Sequence, residues 1–145
     1  MNRRAYTVYS YYVLDIVHTG HLLHMKMAKV LAGKEGISII GILTDEAVAE
    51  TKKRKPTLPL FERVKLAEAI RYNDCIVTQA TYLPLSNLRS IRPDIILEST
   101  SHKPEDLEVV KKCAEKIGAR VVINPYFPGQ SSTQIKTQIK GENNE

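Results

Sequence analysis

Strand-like and helix-like hydrophobic patterns alternate along the first part of the chain. A segment rich in β-branched and aromatic residues, from Tyr6 to Leu14, predicts a first strand. The residues that follow predict a helix ending at Gly33, because apolar positions recur near helical spacing; these are Leu23, Met27, Val30 and Leu31. The run ISIIGIL at 37–43 predicts a second strand, since a continuous apolar run is typical of a parallel strand covered on both faces.

The same alternation continues to the end of the chain. A short helix over 45–50 and a basic loop over 51–59 precede a longer helix over 60–72, whose apolar residues near helical spacing are Leu60, Val64, Ala67 and Ile70. Further strands are predicted at 75–79, 94–98 and 120–124, with a helix from Pro104 to Gly118 before the last of them. A short basic helix capped by Ser131 or Ser132 follows, and residues 141–145 are expected to fray.

This order of elements predicts one α/β domain over residues 1–145, with a doubly wound, five-stranded parallel sheet and right-handed crossovers. Sheets of this kind bind ligands at the carboxyl ends of their strands. The segments expected at those ends are DIVHTGH (15–21), TDEAVAETKKRK (44–55), ESTSHK (98–103) and NPYFPGQSST (124–133).

Composition and charge narrow the classes of function. The chain has 145 residues, 43% of them hydrophobic, enough for the core of one domain, and it has neither a leader-like segment nor an apolar run long enough to cross a membrane. We therefore expect a cytoplasmic protein without a membrane partner. Cys75 and Cys113 are far apart among apolar neighbours and are expected to be reduced core residues. The net charge of +5 suits a polyanionic partner, and nucleic acid is disfavoured because no aromatic residues interleave the basic run.

Two histidines flank a glycine where the first strand gives way to the first helix. Backbone N–H groups and the helix dipole favour an anion there, and Gly20 would let it approach the backbone. The imidazoles of His18 and His21 could donate hydrogen bonds to phosphate oxygens, or they could simply cap the helix. The sequence contains no P-loop, GxGxxG, HExxH or GxSxG motif, so those mechanisms have no support.

Three segments resemble one family. YVLDIVHTGH (12–21) resembles the GxFDxxHxGH signature of the nucleotidyltransferase superfamily, in particular its cytidylyltransferase-like branch. ERVKLAEAIRYNDCIV (62–77) resembles that family's ER…RYVD segment, and GQSSTQIK (129–136) resembles its second signature. The motifs LDIVHTGH and QSST are also similar to those of cytidylyltransferase-like proteins of phosphonate biosynthesis.

The resemblance implies a Rossmann-like nucleotidyltransferase fold, magnesium dependence and a homodimer. It implies transfer of CMP from CTP to a small phosphorylated alcohol or phosphonate, with release of pyrophosphate. Two alternatives stay open: adenylyl transfer to a cofactor precursor, and a regulator that binds nucleotide without turnover.

The resemblance also assigns site residues. Four would serve catalysis: His18, His21, Lys55 and Arg63. The nucleotide would be bound by Tyr12, Val13, Leu14, Asp15, Gly20, Glu98, Ser99, Thr100, Tyr126, Gly129, Ser131, Ser132 and Thr133. No protein metal site is expected, although Asp15 could either help place magnesium or cap the turn.

The chain departs from the family pattern in three places. Tyr12 stands where the signature has glycine, and its bulk could narrow the nucleotide pocket or alter strand packing. ESTS (98–101) replaces GDDW, which leaves Glu98 as either an acceptor for a base amino group or a solvated residue at a strand end. Tyr126 replaces an arginine, so another cation would have to meet the triphosphate. His24 is expected to be a packed or surface histidine rather than a metal ligand.

Overall fold

Five parallel strands form one sheet in residues 5–124, which are the part of the chain described by this computed structural model. The strands are β1 (Thr7–Tyr12), β2 (Ile37–Leu43), β3 (Cys75–Gln79), β4 (Ile95–Ser99) and β5 (Arg120–Asn124). The helices are α1 (Thr19–Ala32), α2 (Asp45–Lys52), α3 (Leu60–Glu68), α4 (Leu85–Ile91) and α5 (Pro104–Ile117). All neighbours in the order β3-β2-β1-β4-β5 pair in parallel, which confirms the predicted sheet.

The helices cover both faces of the sheet. On one face, α1 and α3 enclose a cluster made by Leu14, Met25, Ile40, Ile42 and Ala67. On the other face, α2, α4 and α5 pack around a second cluster that includes Tyr9, Val48, Leu88, Ile96 and Val110. From the neighbours β1 and β4 the chain leads away in opposite directions, to β2 and to β5. The carboxyl ends of β1 and β4 therefore flank the crevice where doubly wound sheets bind ligands.

Helix α1 ends before Gly33 as predicted, but three of the four apolar residues that predicted it do not lie on its buried face. Leu23, Met27 and Val30 are 42%, 40% and 66% exposed, whereas Met25, Ala28 and Ala32 are fully buried. Because two of these buried side chains are alanines, the helix can lie close to the sheet. The three exposed side chains lie on the opposite side of the helix, as the 3.6-residue period requires.

The structure differs from the sequence analysis at one cysteine and at one helix. Cys75 is exposed at the start of β3, an edge strand, so only Cys113 is a buried core residue. Helix α4 has no predicted counterpart, because its seven residues LSNLRSI are too short for a clear helical period. The terminal helix predicted after Ser131 or Ser132 lies outside the described residues. Within 5–124, no helix is both long and apolar enough to cross a bilayer.

Candidate active site

The turn after β1 carries a strained residue. Leu14 has a φ of 60°, in the left-handed region, although its side chain is buried among core residues. Neighbours on both sides of Leu14 are tied down, since the Val13 carbonyl accepts a hydrogen bond from Arg63 and the Asp15 carboxylate accepts two from a loop backbone. Strain of this kind persists only where the surrounding structure fixes it, and it clusters at functional sites.

His18 and His21 cap helix α1 reciprocally. The Gly20 N–H donates to His18 Nδ1 at 3.1 Å, and the His18 N–H donates to His21 Nδ1 at 3.3 Å. This is the capping-box arrangement with imidazoles in place of the usual hydroxyl and carboxylate. The Gly20 N–H is occupied by His18, so an anion at this helix start would meet the imidazoles in its place.

The capping hydrogen bonds determine which nitrogen of each ring carries the proton. A neutral imidazole whose Nδ1 accepts a hydrogen bond carries its proton on Nε2, so both residues present Nε2–H donors. The ring centroids are 3.9 Å apart. Burial lowers the pKa of His18, and it lowers the pKa of His21 to about 3, with a further contribution from the neighbouring histidines. Both rings are therefore neutral donors near pH 7.

Arg63 is a buried clamp beneath this turn. Its side chain is 0% exposed, and its guanidinium donates to the carbonyls of Val13, Leu43 and Leu58 at 2.7, 2.7 and 2.9 Å. A further N–H donates to Asp45 at 2.6 Å, which forms an ion pair. The clamp joins the ends of β1 and β2 to the loop before α3. The phosphate contact that the resemblance implied stays a prediction, and the hydrogen bonds of Arg63 point to positioning instead.

Asp15 ties the basic loop to the same turn. Its two carboxylate oxygens accept hydrogen bonds from the N–H groups of Thr57 and Leu58 at 2.9 and 2.8 Å, and the residue is 5% exposed. The exposed Lys55 precedes Thr57 by two residues and is held on a loop whose end is fixed beside the β1–α1 turn. Of the two roles considered for Asp15, the hydrogen bonds support capping, while the phosphate contact of Lys55 stays a prediction.

Glu98 is a buried carboxylate at the end of β4. It is 1% exposed, one oxygen accepts a hydrogen bond from the Tyr11 hydroxyl at 3.1 Å, and Oε1 has no hydrogen-bond partner within the described part of the chain. His102 Nε2 lies 3.7 Å from Oε2, and the Tyr82 hydroxyl lies 3.4 Å from the other ring nitrogen of His102. Burial raises the pKa of Glu98 to about 7. The interpretation of Glu98 as a solvated strand-end residue is therefore wrong.

The remaining predicted site residues divide into two sets. Ser99 and Thr100 follow Glu98 at the same edge of the sheet; the Ser99 hydroxyl accepts from the N–H of Ser101 at 3.2 Å, and Thr100 is exposed. The structure thus brings the residues after β1 and after β4 to one crevice. Five predicted nucleotide-binding residues lie outside the described range: Tyr126, Gly129, Ser131, Ser132 and Thr133.

Sequence reasoning missed the partners of several site residues. Tyr11 and His102 contact Glu98, and Asp45 pairs with Arg63. His102 follows Glu98 by four residues within a predicted strand-end segment, so its position was a usable signal. Asp45 offered no comparable signal, because it is also an ordinary acidic residue of a helix first turn.

The buried carboxylate predicts a pH-dependent gain in stability for Glu98→Gln. The pKa of Glu98 is above its unfolded value, so its stabilising effect is present in acid and is lost as the pH rises through about 7. A neutral amide of similar shape should raise the free energy of unfolding at about pH 8 by roughly 1–3 kcal/mol, and by much less at about pH 4.5. Urea unfolding at both pH values measures this.

The exposed Glu108 on α5 supplies a matched control. Glu108→Gln should change the free energy of unfolding by less than about 0.5 kcal/mol at either pH. An equal gain for Glu98→Gln at both pH values would show that ionisation of Glu98 is not the cause.

Known proteins resemble this chain over most of its length. A family model described as cytidylyltransferase-like matches residues 13–138. FAD synthase of Pyrococcus abyssi is 33% identical over 131 residues, which cover 88% of this chain and 86% of that protein. FAD synthase of Pyrococcus horikoshii is 34% identical over 112 residues, 77% of this chain and 73% of that protein.

Two further comparisons concern a longer protein and a fold. The bifunctional protein HldE of Gluconacetobacter diazotrophicus is 28% identical over 127 residues, and the match spans 87% of this chain but only 25% of HldE. The crystal structure of the lipopolysaccharide core biosynthesis protein from Thermoplasma volcanium superposes with a TM-score of 0.67 at 23% identity, covering 83% of this chain and 95% of that chain. That likeness shows the Rossmann-like fold. The family model and the Pyrococcus abyssi relative confirm the predicted membership: the chain belongs to the cytidylyltransferase-like family and is a nucleotidyltransferase.

Proposed function

We propose that this protein transfers CMP from CTP to a small phosphorylated alcohol or a phosphonate, with release of pyrophosphate. The observation that carries the proposal is the pair of neutral imidazoles at the start of α1. Their Nδ1 atoms are occupied by helix capping, so His18 and His21 present two Nε2–H donors side by side. The net charge of +5 and the loop bearing Lys55 suit a triphosphate at the same place.

In the proposed reaction, an oxygen of the acceptor attacks the α-phosphorus in line. A new phosphorus–oxygen bond forms as the bond from the α-phosphorus to the bridging oxygen breaks, and pyrophosphate leaves with the electron pair. A phosphate or phosphonate acceptor is already ionised near neutral pH, so the step needs no strong general base. The donors of His18 and His21 stabilise the charge that grows on the phosphate oxygens.

Magnesium is proposed to enter with the nucleotide. Residues 5–124 contain no cluster of three or more histidine, cysteine or acidic side chains placed to hold a metal ion, and the Asp15 oxygens both accept loop N–H groups. Mg²⁺ commonly keeps several waters and is bound through substrate phosphates, a mode that fits this donor set. When bound, it would neutralise charge on the triphosphate.

Adenylyl transfer is the second candidate, because the two FAD synthases match most of this chain. Pyrophosphate release should be measured with CTP and with ATP, each paired with a phosphonate, a phosphorylated alcohol or flavin mononucleotide. We expect turnover with CTP and one of the first two acceptors. Turnover restricted to ATP and flavin mononucleotide would establish the second candidate, and tight nucleotide binding without pyrophosphate would indicate a regulator. The homodimer stays a prediction.

A further inference from the structure

Tyr12 stands where the signature has glycine, and its side chain packs against the core. Its ring packs with the cluster under α1 that includes Leu14 and Met25, so much of its bulk lies in the interior. The Tyr12 hydroxyl donates to Ser10 Oγ at 3.1 Å and forms a 2.5 Å hydrogen bond with His24 Nδ1. Two partners therefore hold a phenol at the position where the resembling family has glycine.

The Tyr12 ring also meets His21. The two rings are edge to face, with centroids 6.0 Å apart and planes at 83°. The ring of His24 meets Tyr12 at 5.3 Å and 89°, in the same edge-to-face manner. Aromatic rings favour this geometry because a positive edge meets a negative face. The Tyr12 ring thus contacts both His21, in the first turn of α1, and His24, in the next turn.

The capping hydrogen bond of His21 is the longer of the two, so a further contact adds to the restraint on its ring. The hydrogen bond from the His18 N–H to His21 Nδ1 is 3.3 Å long, against 3.1 Å for the bond from the Gly20 N–H to His18 Nδ1. The His18 ring, tilted by 34° to the His21 ring, restrains one part of the His21 imidazole, and Tyr12 supplies the second ring contact. Positioning within about 1 Å matters for catalytic donors, so a second restraint has a functional consequence.

We propose that Tyr12, held by His24 and Ser10, is a positioning residue that fixes the orientation of the His21 imidazole. The catalytic consequence rests on the proposed function, whereas the effect on the ring itself does not. His24 takes part in the same positioning, since its packing against Tyr12 keeps the phenol in place. Among residues 5–124, the titratable groups found against His21 are His18, His24 and Tyr12.

The first test reads the His21 ring directly, by long-range proton–nitrogen NMR over about pH 5–8. In the wild type, we expect His21 to stay neutral with its proton on Nε2, in accord with a pKa that burial lowers to about 3. Tyr12→Leu removes the ring but keeps an apolar side chain. It should leave the His21 ring without this restraint and mix its two tautomers. Tyr12→Phe retains the ring and should give a smaller change.

Tyr9→Phe is the matched control, because Tyr9 is also a buried, hydrogen-bonded tyrosine of β1 but packs on the other face of the sheet. It should leave the His21 signals unchanged. Unaltered His21 signals in a folded Tyr12→Leu protein would overturn the proposal. Equal changes in the Tyr9→Phe protein would also overturn it, since they would reflect a general loss of stability.

The second test measures steady-state kinetics with the nucleotide that turns over. Tyr12→Leu should lower kcat by about tenfold, with KM for the nucleotide changed by less than about threefold, and Tyr12→Phe should recover most of the loss. A rise in KM alone would mean that Tyr12 contacts the nucleotide and is not a positioning residue. If no nucleotide turns over, the proposed function fails while the NMR result still decides the positioning role.

Discussion

Replacing His18 or His21 by alanine should lower kcat/KM for the nucleotide by about 10²-fold or more. Each substitution removes one Nε2–H donor from the place where charge is proposed to grow on the phosphates, and lost transition-state donors typically cost this much. Steady-state pyrophosphate release measures the effect. The pH profile should carry no loss from His21 between about pH 6.5 and 8.5, because burial lowers the pKa of His21 to about 3 and its active form is already neutral.

His18→Asn separates catalysis from helix capping. Asparagine is a good N-cap residue, so its side-chain oxygen can accept the hydrogen bond from the Gly20 N–H, while the Nε2–H donor of His18 is lost. We expect His18→Asn to keep the stability of the wild type to within about 0.5 kcal/mol and to lose activity as His18→Ala does. Thr19→Ala, at the exposed position between the two histidines, should keep both properties. Full activity in a stable His18→Asn protein would show that His18 only caps the helix.

Arg63→Ala should lower the free energy of unfolding by about 3–5 kcal/mol. Removing one partner of a buried, hydrogen-bonded ion pair typically costs this much, since the groups left behind lose their donors. Here, the orphaned groups are the carbonyls of Val13, Leu43 and Leu58, together with the Asp45 carboxylate. Urea unfolding measures the change. Arg63→Lys should also be strongly destabilised, because a single ammonium cannot reproduce the planar fork.

The exposed Arg89 on α4 provides the control, and Arg89→Ala should stay within about 0.5 kcal/mol of the wild type. Nucleotide titration of the same proteins distinguishes the two roles considered for Arg63. A stable Arg63→Ala protein that has lost triphosphate binding would favour the phosphate contact implied by the family resemblance. A destabilised protein that still binds nucleotide when folded would favour the clamp.

The sequence predicts the positions of the strands better than it predicts the surroundings of the charged residues. The bounds of β2, β3 and β5 agree with the prediction, because each is a short run rich in apolar or β-branched residues between turn-forming or polar residues. Arg63 shows the limit. The family resemblance implied a phosphate ligand, yet the acceptors of Arg63 include Val13, which is 50 residues away in the chain. The order of residues in the sequence does not show that Arg63 would contact a carbonyl so far away in the chain.

Tyr12 and Glu98 show the same limit at the crevice. Both were predicted site residues from their positions, but only the packing places the Tyr12 ring beneath α1 and buries the Glu98 carboxylate beside Tyr11. His18 and His21 were more predictable, since a helix start and an i, i+3 pair follow from local sequence alone. Local hydrogen bonding was therefore accessible from the sequence, and contacts between distant strands were not.

Triphosphate binding at the two capping imidazoles is tested most directly by NMR of the histidine side-chain nitrogens during titration with magnesium and CTP or ATP. We expect His18 and His21 to keep their protons on Nε2 and to show the largest Nε2 changes of the four histidines on addition of a triphosphate, with smaller changes for the monophosphate. Protons on Nδ1, or saturating triphosphate that leaves both rings unchanged, would contradict the account.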